Sequence, residues 1–360
     1  MTHSTSRTER LLSRLLDMDV DALIVTAPSN IRYTCGFTGS NGTVIIDRDG
    51  LTLITDRRYV QWAEDEIAAS GANASIVIAP GGGRTAVLEA VRDAKKVGLE
   101  ADHVSWASAT SLISSLGADR VRATTNAVEA LREIKDASEI ELMRKAAAIA
   151  DLALAELLTR FGPGPTEREV ARDLDQLVLD AGASGASFET IIASGPNAAR
   201  PHHSPSDRRL EKGDLVIIDF GAECAGYRSD MTRSFVLGLP TTQQKEMLDA
   251  VLDAQRAGVD AVSAGVSASS IDDACRSSLA SVSLDQWFVH GTGHGVGLDI
   301  HEAPWVSATA TATLAPGHVI TVEPGVYIPD VGGVRWEDTV VVTANGTQPL
   351  TSSPKLAIVN

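Results

Sequence analysis

Cysteine is scarce in this chain, and long apolar runs are missing. Cys35, Cys224 and Cys275 are the only cysteines among 360 residues, and they lie far apart. Such spacing is neither a disulfide framework nor a CxxC metal site, and it suits a reducing compartment. No stretch approaches the roughly 18 apolar residues of a membrane span, and residues 1–19 lack the uninterrupted apolar core of a signal peptide. We therefore predict a cytoplasmic protein without a membrane partner.

Positive charge is also in short supply. Lysine and arginine number 31 against 47 aspartates and glutamates, which gives a net charge of -16. A nucleic-acid partner requires a basic surface, so this charge balance argues against one, and it disfavours an anionic membrane for the same reason. The general acidity is consistent with solubility. A few of the carboxylates are candidates for a more specific role.

Short apolar runs separated by GS, NG and DG turn signals characterise the first third of the chain. Leucines at 11, 12, 15 and 16 have the spacing of an amphipathic helix over 7–18. Short strands and further helices follow, a combination typical of an α/β domain. The predicted strands are ALIV (22–25), TVIID (43–47) and LTLIT (51–55), and the predicted helices lie near 58–69 and 85–94.

The texture of the sequence changes after this region. From Val128 to Ala155 the residues are good helix formers with few breakers, which predicts one continuous helix. We therefore predict two domains, an α/β domain over residues 1–130 and a second domain over 131–360.

The second domain contains an internal repeat. Three pairs of segments match, at an offset that grows from 101 to 104 to 107 residues, as small loop insertions would produce. The first pair has a serine or threonine placed to cap a helix, and the other two each carry an acid at a strand end. We predict a helix followed by a hairpin, present twice and related by a pseudo-two-fold axis. The pairs are GPTEREV (164–170) with GVSASSI (265–271), GDLVIIDFG (213–221) with GHVITVEPG (317–325), and DMT (230–232) with EDT (337–339).

Each copy of the repeat contributes two acids. Asp219 and Asp230 come from the first copy, and Glu323 and Glu337 from the second. An unpaired buried carboxylate costs several kcal/mol, so each acid needs a partner. One explanation is an arginine for each acid, drawn from Arg228, Arg233 and Arg335, or a capped turn. Four acids placed by a repeat favour two divalent cations, because one or two arginines cannot neutralise four carboxylates.

The segment HGTGHGVGLDIHE (290–302) holds three histidines and four glycines. A zinc-protease helix of the HExxH type is disfavoured here, because each of the four glycines weakens a helix by roughly 1 kcal/mol relative to alanine. On an extended strand, His294 could complete a site made of four carboxylates. His290 has the same parity as His294 and is expected to face the same way, whereas His301 approaches from another side.

Oxygen-rich ligation with one nitrogen favours manganese, with cobalt or zinc as alternatives. Two metal ions roughly 3.5–4 Å apart would share a water, lower its pKa and hold it for attack on a carbonyl. The residues themselves therefore predict a dinuclear hydrolase.

The chain resembles the creatinase, prolidase and methionine-aminopeptidase superfamily, the "pita-bread" metallopeptidases. This resemblance implies an α/β creatinase-like N-terminal domain followed by an α+β pita-bread catalytic domain with an internal pseudo-two-fold repeat. It assigns the metal ligands to Asp219, Asp230, His294, Glu323 and Glu337. Asp230 and Glu337 would bridge the metals, and Glu323 would assist the attacking water as a base. The motifs that carry the resemblance are DFGAECAGYRSDMTRSF (219–235), HGTGHGVGLDIHE (290–302), TVEPGVYI (321–328) and GVRWEDTVVV (333–342).

The N-terminal motifs YTCGFTGSNGTVII (33–46) and LITDRRYVQWAE (53–64) resemble those of creatinases and Xaa-Pro peptidases. They imply an Xaa-Pro dipeptidase or aminopeptidase that acts on small peptides with proline at the second position, and a homodimer. The resemblance places His202 and Arg335 among the substrate-binding residues, His202 on a loop that closes over substrate. His290 and His301 would contact the peptide carbonyl and stabilise the tetrahedral intermediate.

Three positions depart from the family pattern. Trp336 stands where relatives have a smaller aliphatic residue, so we expect a change in pocket shape. HEAP is followed by Trp305, where many dipeptidases have a basic residue, which leaves an aminopeptidase open. His203 is interpreted as a surface residue. Two alternatives stay open, a non-catalytic binding protein on the same fold and a hydrolase of a non-peptide amide.

Overall fold

The computed structural model describes residues 7–81, 83–355 and 358–359. The chain divides into two compact units, Met1–Arg132 and Glu133–Asn360. This division falls two residues after the domain boundary that the sequence predicts.

The first unit is an α/β domain built around one mixed sheet. Its helices are α1 (Arg7–Asp17), α2 (Pro28–Cys35), α3 (Val60–Ser70), α4 (Arg84–Ala90), α5 (Trp106–Leu116) and α6 (Glu129–Arg132). Its strands are β1 (Ala22–Val25), β2 (Gly42–Asp47), β3 (Gly50–Thr55), β4 (Ala74–Ile78), β5 (Val97–Glu100) and β6 (Val121–Thr124).

The sheet of this unit has the order β4-β3-β2-β1-β5-β6. Strands β1, β2 and β3 pair antiparallel, and the other neighbours pair parallel. All residues of β1 are buried, as expected for a central strand of a two-sided sheet. Helix α1 has the predicted amphipathic character, because Leu11 and Leu15 are buried whereas Leu16 is exposed.

The prediction of one continuous helix from Val128 to Ala155 is wrong. Helix α6 ends at Arg132, and the next helix begins at Ala137. Asp136 starts that helix with a capping box: its side chain accepts from two backbone N–H groups, and the Glu139 carboxylate accepts from the Asp136 N–H. These reciprocal bonds satisfy N–H groups that a continuous helix would bond internally, so they favour a new start over a continuation.

The second unit combines four helices with several small sheets among its described residues. The helices are α7 (Ala137–Leu158), α8 (Glu167–Asp180), α9 (Thr242–Ala261) and α10 (Ala268–Ala280). The strands before α9 are β7 (Gly185–Ala186), β8 (Ile191–Ser194), β9 (Leu215–Phe220), β10 (Ala222–Cys224), β11 (Tyr227–Arg228) and β12 (Met231–Leu237). The later strands are β13 (Gly293–Gly295), β14 (Glu302–Val306), β15 (Val319–Val322), β16 (Gly325–Ile328), β17 (Gly332–Arg335), β18 (Asp338–Thr343), β19 (Gly346–Pro349) and β20 (Ile358–Val359).

The predicted internal repeat is visible in this unit. Thr166 and Ser267 are the N-caps of α8 and α10, and each side chain accepts a hydrogen bond from the first turn. Strand β9 pairs antiparallel with β12, and β15 pairs in the same way with β18. Each copy therefore contributes a capped helix and an antiparallel strand pair, as the spacing predicted.

The two strand pairs meet through their threonines. The Thr232 hydroxyl donates to Glu337 Oε2 at 2.7 Å, and the Thr339 hydroxyl donates to the Asp230 carbonyl oxygen at 2.8 Å. Each copy thus bonds to the acidic residue of the other. This exchange brings Asp230 and Glu337 to the same place.

Helices α9 and α10 cover the apolar face of the second strand pair. Trp336 belongs to this core, with 1% of its surface exposed, and its indole N–H donates to the Leu248 carbonyl oxygen. The expectation that Trp336 would shape a pocket is therefore wrong. Trp336 lies between β17 and β18, and its aromatic side chain packs into the core.

No helix within the described residues combines the length and apolar character that a bilayer span requires. All three cysteines lie in the described part of the chain and are free, with Cys35 and Cys275 buried. The cytoplasmic location inferred from cysteine usage stays a prediction.

Gly258 offers a test of the packing between α9 and α10. A Cβ at this position would lie 2.4 Å from Cys275 Sγ and 2.8 Å from Val322 Cγ1. In an open helix, glycine to alanine stabilises by about 1 kcal/mol. We expect Gly258→Ala instead to lower the free energy of unfolding by about 1–3 kcal/mol, as overpacking does. Urea denaturation measures this change. Arg256→Ala on the exposed side of the same helix is the control, and an unfolding midpoint raised by Gly258→Ala would contradict the close packing.

Candidate metal centre

A cavity of about 440 Å³ lies in the second unit. Every residue that the sequence predicts as a metal ligand, catalytic residue or substrate-binding residue lines it. Apolar side chains of Phe188, Ile191 and Trp305 form part of the same wall. The predicted residues on the wall are His202, Asp219, Asp230, His290, His294, His301, Glu323, Arg335 and Glu337.

Three carboxylates meet at the base of the two strand pairs. Asp219 lies near the end of β9, Asp230 directly precedes β12, and Glu337 directly precedes β18. One oxygen of each lies within 4.8 Å of the others, a spacing that could hold a metal ion. Asp230 and Glu337 are buried, so water screens the repulsion between their charges only weakly.

Two further side chains extend this group. Glu323 directly follows β15, and His294 lies in β13. The His294 Nε2 atom lies 3.4 Å from Glu323 Oε1 and 3.6 Å from Asp230 Oδ2. His294 Nδ1–H donates to the Gly295 carbonyl oxygen at 3.0 Å, which leaves Nε2 as the bare nitrogen facing the acids. A backbone carbonyl that fixes the imidazole in this way is typical of metal-binding histidines.

Two carboxylate oxygens of the group have no hydrogen-bond partner within the described residues. They are Asp219 Oδ1 and Glu337 Oε1, and both are buried. An unsatisfied buried oxygen is costly, and more so when it is charged. Divalent cations bound by carboxylate oxygens would satisfy both atoms, so the residues present fit a metal centre.

Among the described residues, arginine forms an ion pair with one acid of the group. Arg335 Nη2 donates to Asp219 Oδ2 at 2.6 Å. Arg233 pairs with Asp338 instead, and Arg228 pairs with Glu223. An arginine for each acid, the first explanation considered from the sequence, is therefore wrong for the other three carboxylates.

The crowded acids shift one another's protonation. Burial, reinforced by the neighbouring carboxylates, raises the pKa of Asp230 and of Glu337 well above their usual range. Burial also raises the pKa of Glu323 to about 7. Without a cation, these groups would hold protons near neutral pH, so the site favours any species that supplies positive charge.

Tyr327 is a site residue that the sequence analysis missed. Its hydroxyl accepts from Arg335 Nη1 at 2.7 Å and donates to His290 Nε2 at 2.9 Å. His290 Nδ1–H donates to the Gly291 carbonyl oxygen, so both ring nitrogens are committed. Burial lowers the pKa of His290 to about 4 and keeps it neutral. The available signal was a tyrosine inside an apolar strand, because a buried hydroxyl usually has a polar partner.

The three histidines of the glycine-rich segment play different parts. His301 lies edge-on to the His294 ring at 4.4 Å between centroids, and it is exposed to the cavity without a hydrogen-bond partner among the described residues. His290 and His294 both face the cavity, as expected. The parity argument behind that expectation is wrong, because His290 lies outside β13, whose register shifts between Gly293 and Gly295.

The glycines of this segment allow the close approach of two neighbouring strands. A Cβ at Gly293 would lie 2.1 Å from the Thr321 carbonyl oxygen, and one at Gly295 would lie 2.2 Å from the Ala303 carbonyl oxygen. Strand β13 therefore fits between β14 and β15 only with glycine on both sides of His294. The extended conformation predicted from the glycines is confirmed for Gly293–Gly295.

The interpretation of His203 as a surface residue is wrong. Only 9% of its side chain is exposed, and its Nε2 lies 2.8 Å from Glu167 Oε2. Its neighbour His202 is exposed and lines the cavity. Consecutive residues here point to opposite sides of the backbone, which the sequence alone did not reveal.

Family models match both units of the chain. The model described as metallopeptidase family M24 matches residues 141–344, and the creatinase/prolidase N-terminal domain matches residues 7–134. Together they cover nearly all elements named above.

Known proteins are similar to this chain over nearly its whole length. The chain is 36% identical to an Xaa-Pro dipeptidase of Pyrococcus furiosus, over 97% of this chain and 98% of that protein. An Xaa-Pro dipeptidase structure from Bacillus anthracis is 37% identical with a TM-score of 0.94, covering 98% of both chains. An X-Pro aminopeptidase structure from Thermotoga maritima is 33% identical with a TM-score of 0.89, covering 98% of this chain and 100% of the other. The chain belongs to metallopeptidase family M24 and carries the N-terminal domain of creatinases and prolidases.

Proposed function

We propose that this chain hydrolyses the bond between an N-terminal residue and a following proline in small peptides. The support is the whole-length similarity to proteins named Xaa-Pro dipeptidase and X-Pro aminopeptidase. The cavity of about 440 Å³ is within the range of small-molecule sites, roughly 300–1,000 Å³. The residues before and after the scissile bond would both fit inside it.

The observation that carries the proposal is the buried group of carboxylates with two unpartnered oxygens and one guanidinium. We propose two divalent metal ions per chain, manganese first and cobalt or zinc as alternatives. When bound, the ions would polarise the scissile carbonyl and lower the pKa of a water. The residues proposed to hold them are Asp219, Asp230, His294, Glu323 and Glu337.

Glu323 is proposed as the general base. The Thr321 hydroxyl donates to Glu323 Oε1 at 3.1 Å, which fixes the carboxylate at the cavity wall. From there it would accept a proton from the attacking water as the new C–O bond forms. The same proton would then pass to the proline nitrogen as the C–N bond breaks, because the leaving secondary amine needs it.

His301 is proposed to donate to the carbonyl oxygen as negative charge develops there. It has no competing hydrogen bond among the described residues, unlike His290, which is held by Tyr327 and Gly291. His290 would donate from Nε2 only after it loses the bond from Tyr327 and gains a proton there, because its N–H is on Nδ1. Arg335 supports the site by fixing Asp219 and Tyr327. A homodimer, implied by the family resemblance, completes the proposal.

Glu337→Gln tests the metal centre. The substitution keeps the shape of the side chain but removes a charge that a bridging ligand would need. We expect turnover to fall by about 100- to 1,000-fold, on the scale of other lost electrostatic contacts. Metal content, measured by elemental analysis, should fall from near two ions per chain, while the circular dichroism spectrum is retained. Glu246→Gln on the exposed side of α9 is the matched control. Full activity in Glu337→Gln would rule out the assignment, and a wild type without metal would favour the binding-protein alternative.

The pH dependence of stability gives a second test. Glu323 titrates near 7 in the folded metal-free protein and near 4.5 as an ordinary glutamate, so the folded state binds more protons between these values. Stability of the metal-free protein should therefore decrease as pH rises from about 5 to 8, lowering the melting temperature by several degrees. Differential scanning calorimetry after chelation measures this. Added Mn²⁺ should restore the loss and flatten the dependence; a metal-free protein that becomes more stable with rising pH would contradict the crowding of acids.

Substrate comparison tests the proline specificity. An Xaa-Pro dipeptide and an Xaa-Pro tripeptide should both be hydrolysed, since Arg335, the cavity's guanidinium among the described residues, is already committed to Asp219 and Tyr327. An Xaa-Ala dipeptide should have a kcat/KM at least about tenfold lower. Product amino acids are quantified by chromatography. Equal rates for proline and alanine substrates would refute the proline specificity without affecting the metal centre.

A further inference from the structure

His202 has little to hold it in place. It borders the main cavity of about 440 Å³ and, on another side, a smaller cavity of about 150 Å³. Its ring is exposed and has no hydrogen-bond partner among the described residues. The position of His202 is therefore set by the backbone on either side of it.

Both neighbours of His202 are tied to the protein. The Pro201 carbonyl oxygen accepts from Arg335 Nη1 at 3.3 Å, which links the loop to the wall of the metal centre. On the other side, His203 Nε2–H donates to Glu167 Oε2 at 2.8 Å. His202 thus lies between one tie to Arg335 and one tie to Glu167.

Glu167 is a buried carboxylate whose two oxygens bind both ends of the segment 194–206. Oε1 accepts from the Ser194 N–H at 2.8 Å, and Oε2 accepts from the Ser206 N–H at 3.0 Å. The hydroxyls of both serines and the Asn197 amide add further bonds. Although burial alone would raise it, hydrogen bonds from Ser206 and Ser194 lower the pKa of Glu167 to about 2, so it stays charged. The Glu167 side chain therefore joins the two ends of the segment 194–206.

We propose that Glu167 and His203 are positioning residues that hold His202 at the cavity. The term "Glu167 anchor" is used for Glu167 with its partners Ser194, Asn197, His203 and Ser206. The inference deepens the proposed peptidase function and rests on it, since His202 would act on a bound peptide. Glu167 and His203 do not line the main cavity and so would act through His202.

A double-mutant cycle tests this coupling. His203→Leu removes the donor to Glu167, and His202→Ala removes the side chain that the anchor positions. We expect His203→Leu alone to lower kcat/KM for an Xaa-Pro dipeptide between about 10- and 100-fold, the scale of a misplacement near 1 Å. In the His202→Ala background the same substitution should cost less than about twofold, because there is nothing left to position. Equal losses in both backgrounds would overturn the proposal.

Matched variants separate positioning from general damage. His203→Gln keeps an N–H donor and should recover part of the lost kcat/KM. Ser204→Ala changes the next, exposed residue of the same loop and should leave kcat/KM unchanged. Metal content and melting temperature of His203→Leu should stay near those of the wild type. If the leucine variant does not fold, His203→Ala takes its place in the cycle, and no recovery by His203→Gln would count against the proposal.

Amide hydrogen exchange tests the anchor independently of turnover. The amides of residues 202–204 and 206 should exchange faster in His203→Leu than in the wild type, while residues 288–302 exchange unchanged. Equal exchange of these four amides would overturn the anchor. If the wild type cleaves no Xaa-Pro peptide, the proposed function fails on its own, and the exchange comparison still decides whether His203 holds the loop.

Discussion

The fold holds carboxylates close together in a buried place, and the site depends on the repulsion between their negative charges. Two strand pairs meet through Thr232 and Thr339, and this exchange fixes Asp230 and Glu337 side by side in a buried place. Backbone pairing and the cores on either side hold the carboxylates there, although their charges repel. Neutralisation must come from protons, arginine or bound cations, and one guanidinium reaches only Asp219. The other carboxylates still require positive charge, and the species that supplies this charge determines the chemistry of the site.

The neutralised acid is linked to a series of hydrogen bonds. Arg335 donates to Asp219 and to the Tyr327 hydroxyl, and that hydroxyl donates to His290. Asp219 therefore helps to fix Arg335 and, through Tyr327, His290. Four carboxylates and one guanidinium leave a negative balance that two divalent cations would more than offset. The resulting surplus of positive charge suits a reaction whose transition state is anionic.

The sequence was informative where spacing alone carries the geometry. The growing offset between the copies located the capped helices, both strand pairs and all four acids. It did so because a repeat places corresponding residues at the same point of corresponding strands. The sequence was uninformative where packing decides the direction in which a side chain points. Trp336 points into the core rather than the pocket, and His203 turns inward to Glu167, since only the neighbouring helix decides which face is buried. Tyr327 was missed because its hydroxyl finds a partner eight residues along the chain, across a hairpin.

The two copies of the repeat each contribute two acids, but residues at other corresponding positions differ between the copies. Ser194 lies opposite Val216 in the first copy, and Gly295 lies opposite Ile320 in the second, so these two positions correspond. In the first copy the serine binds Glu167, which holds a loop; in the second, the residue after the helix cap is Ala268 and the strand instead carries His294. Duplication alone would give a centre with four carboxylates and no distinction between its sides. Divergence at these few positions gives one copy His294, the nitrogen ligand that we propose, and the other copy the proposed Glu167 anchor. This difference would let a symmetric set of acids receive an asymmetric substrate.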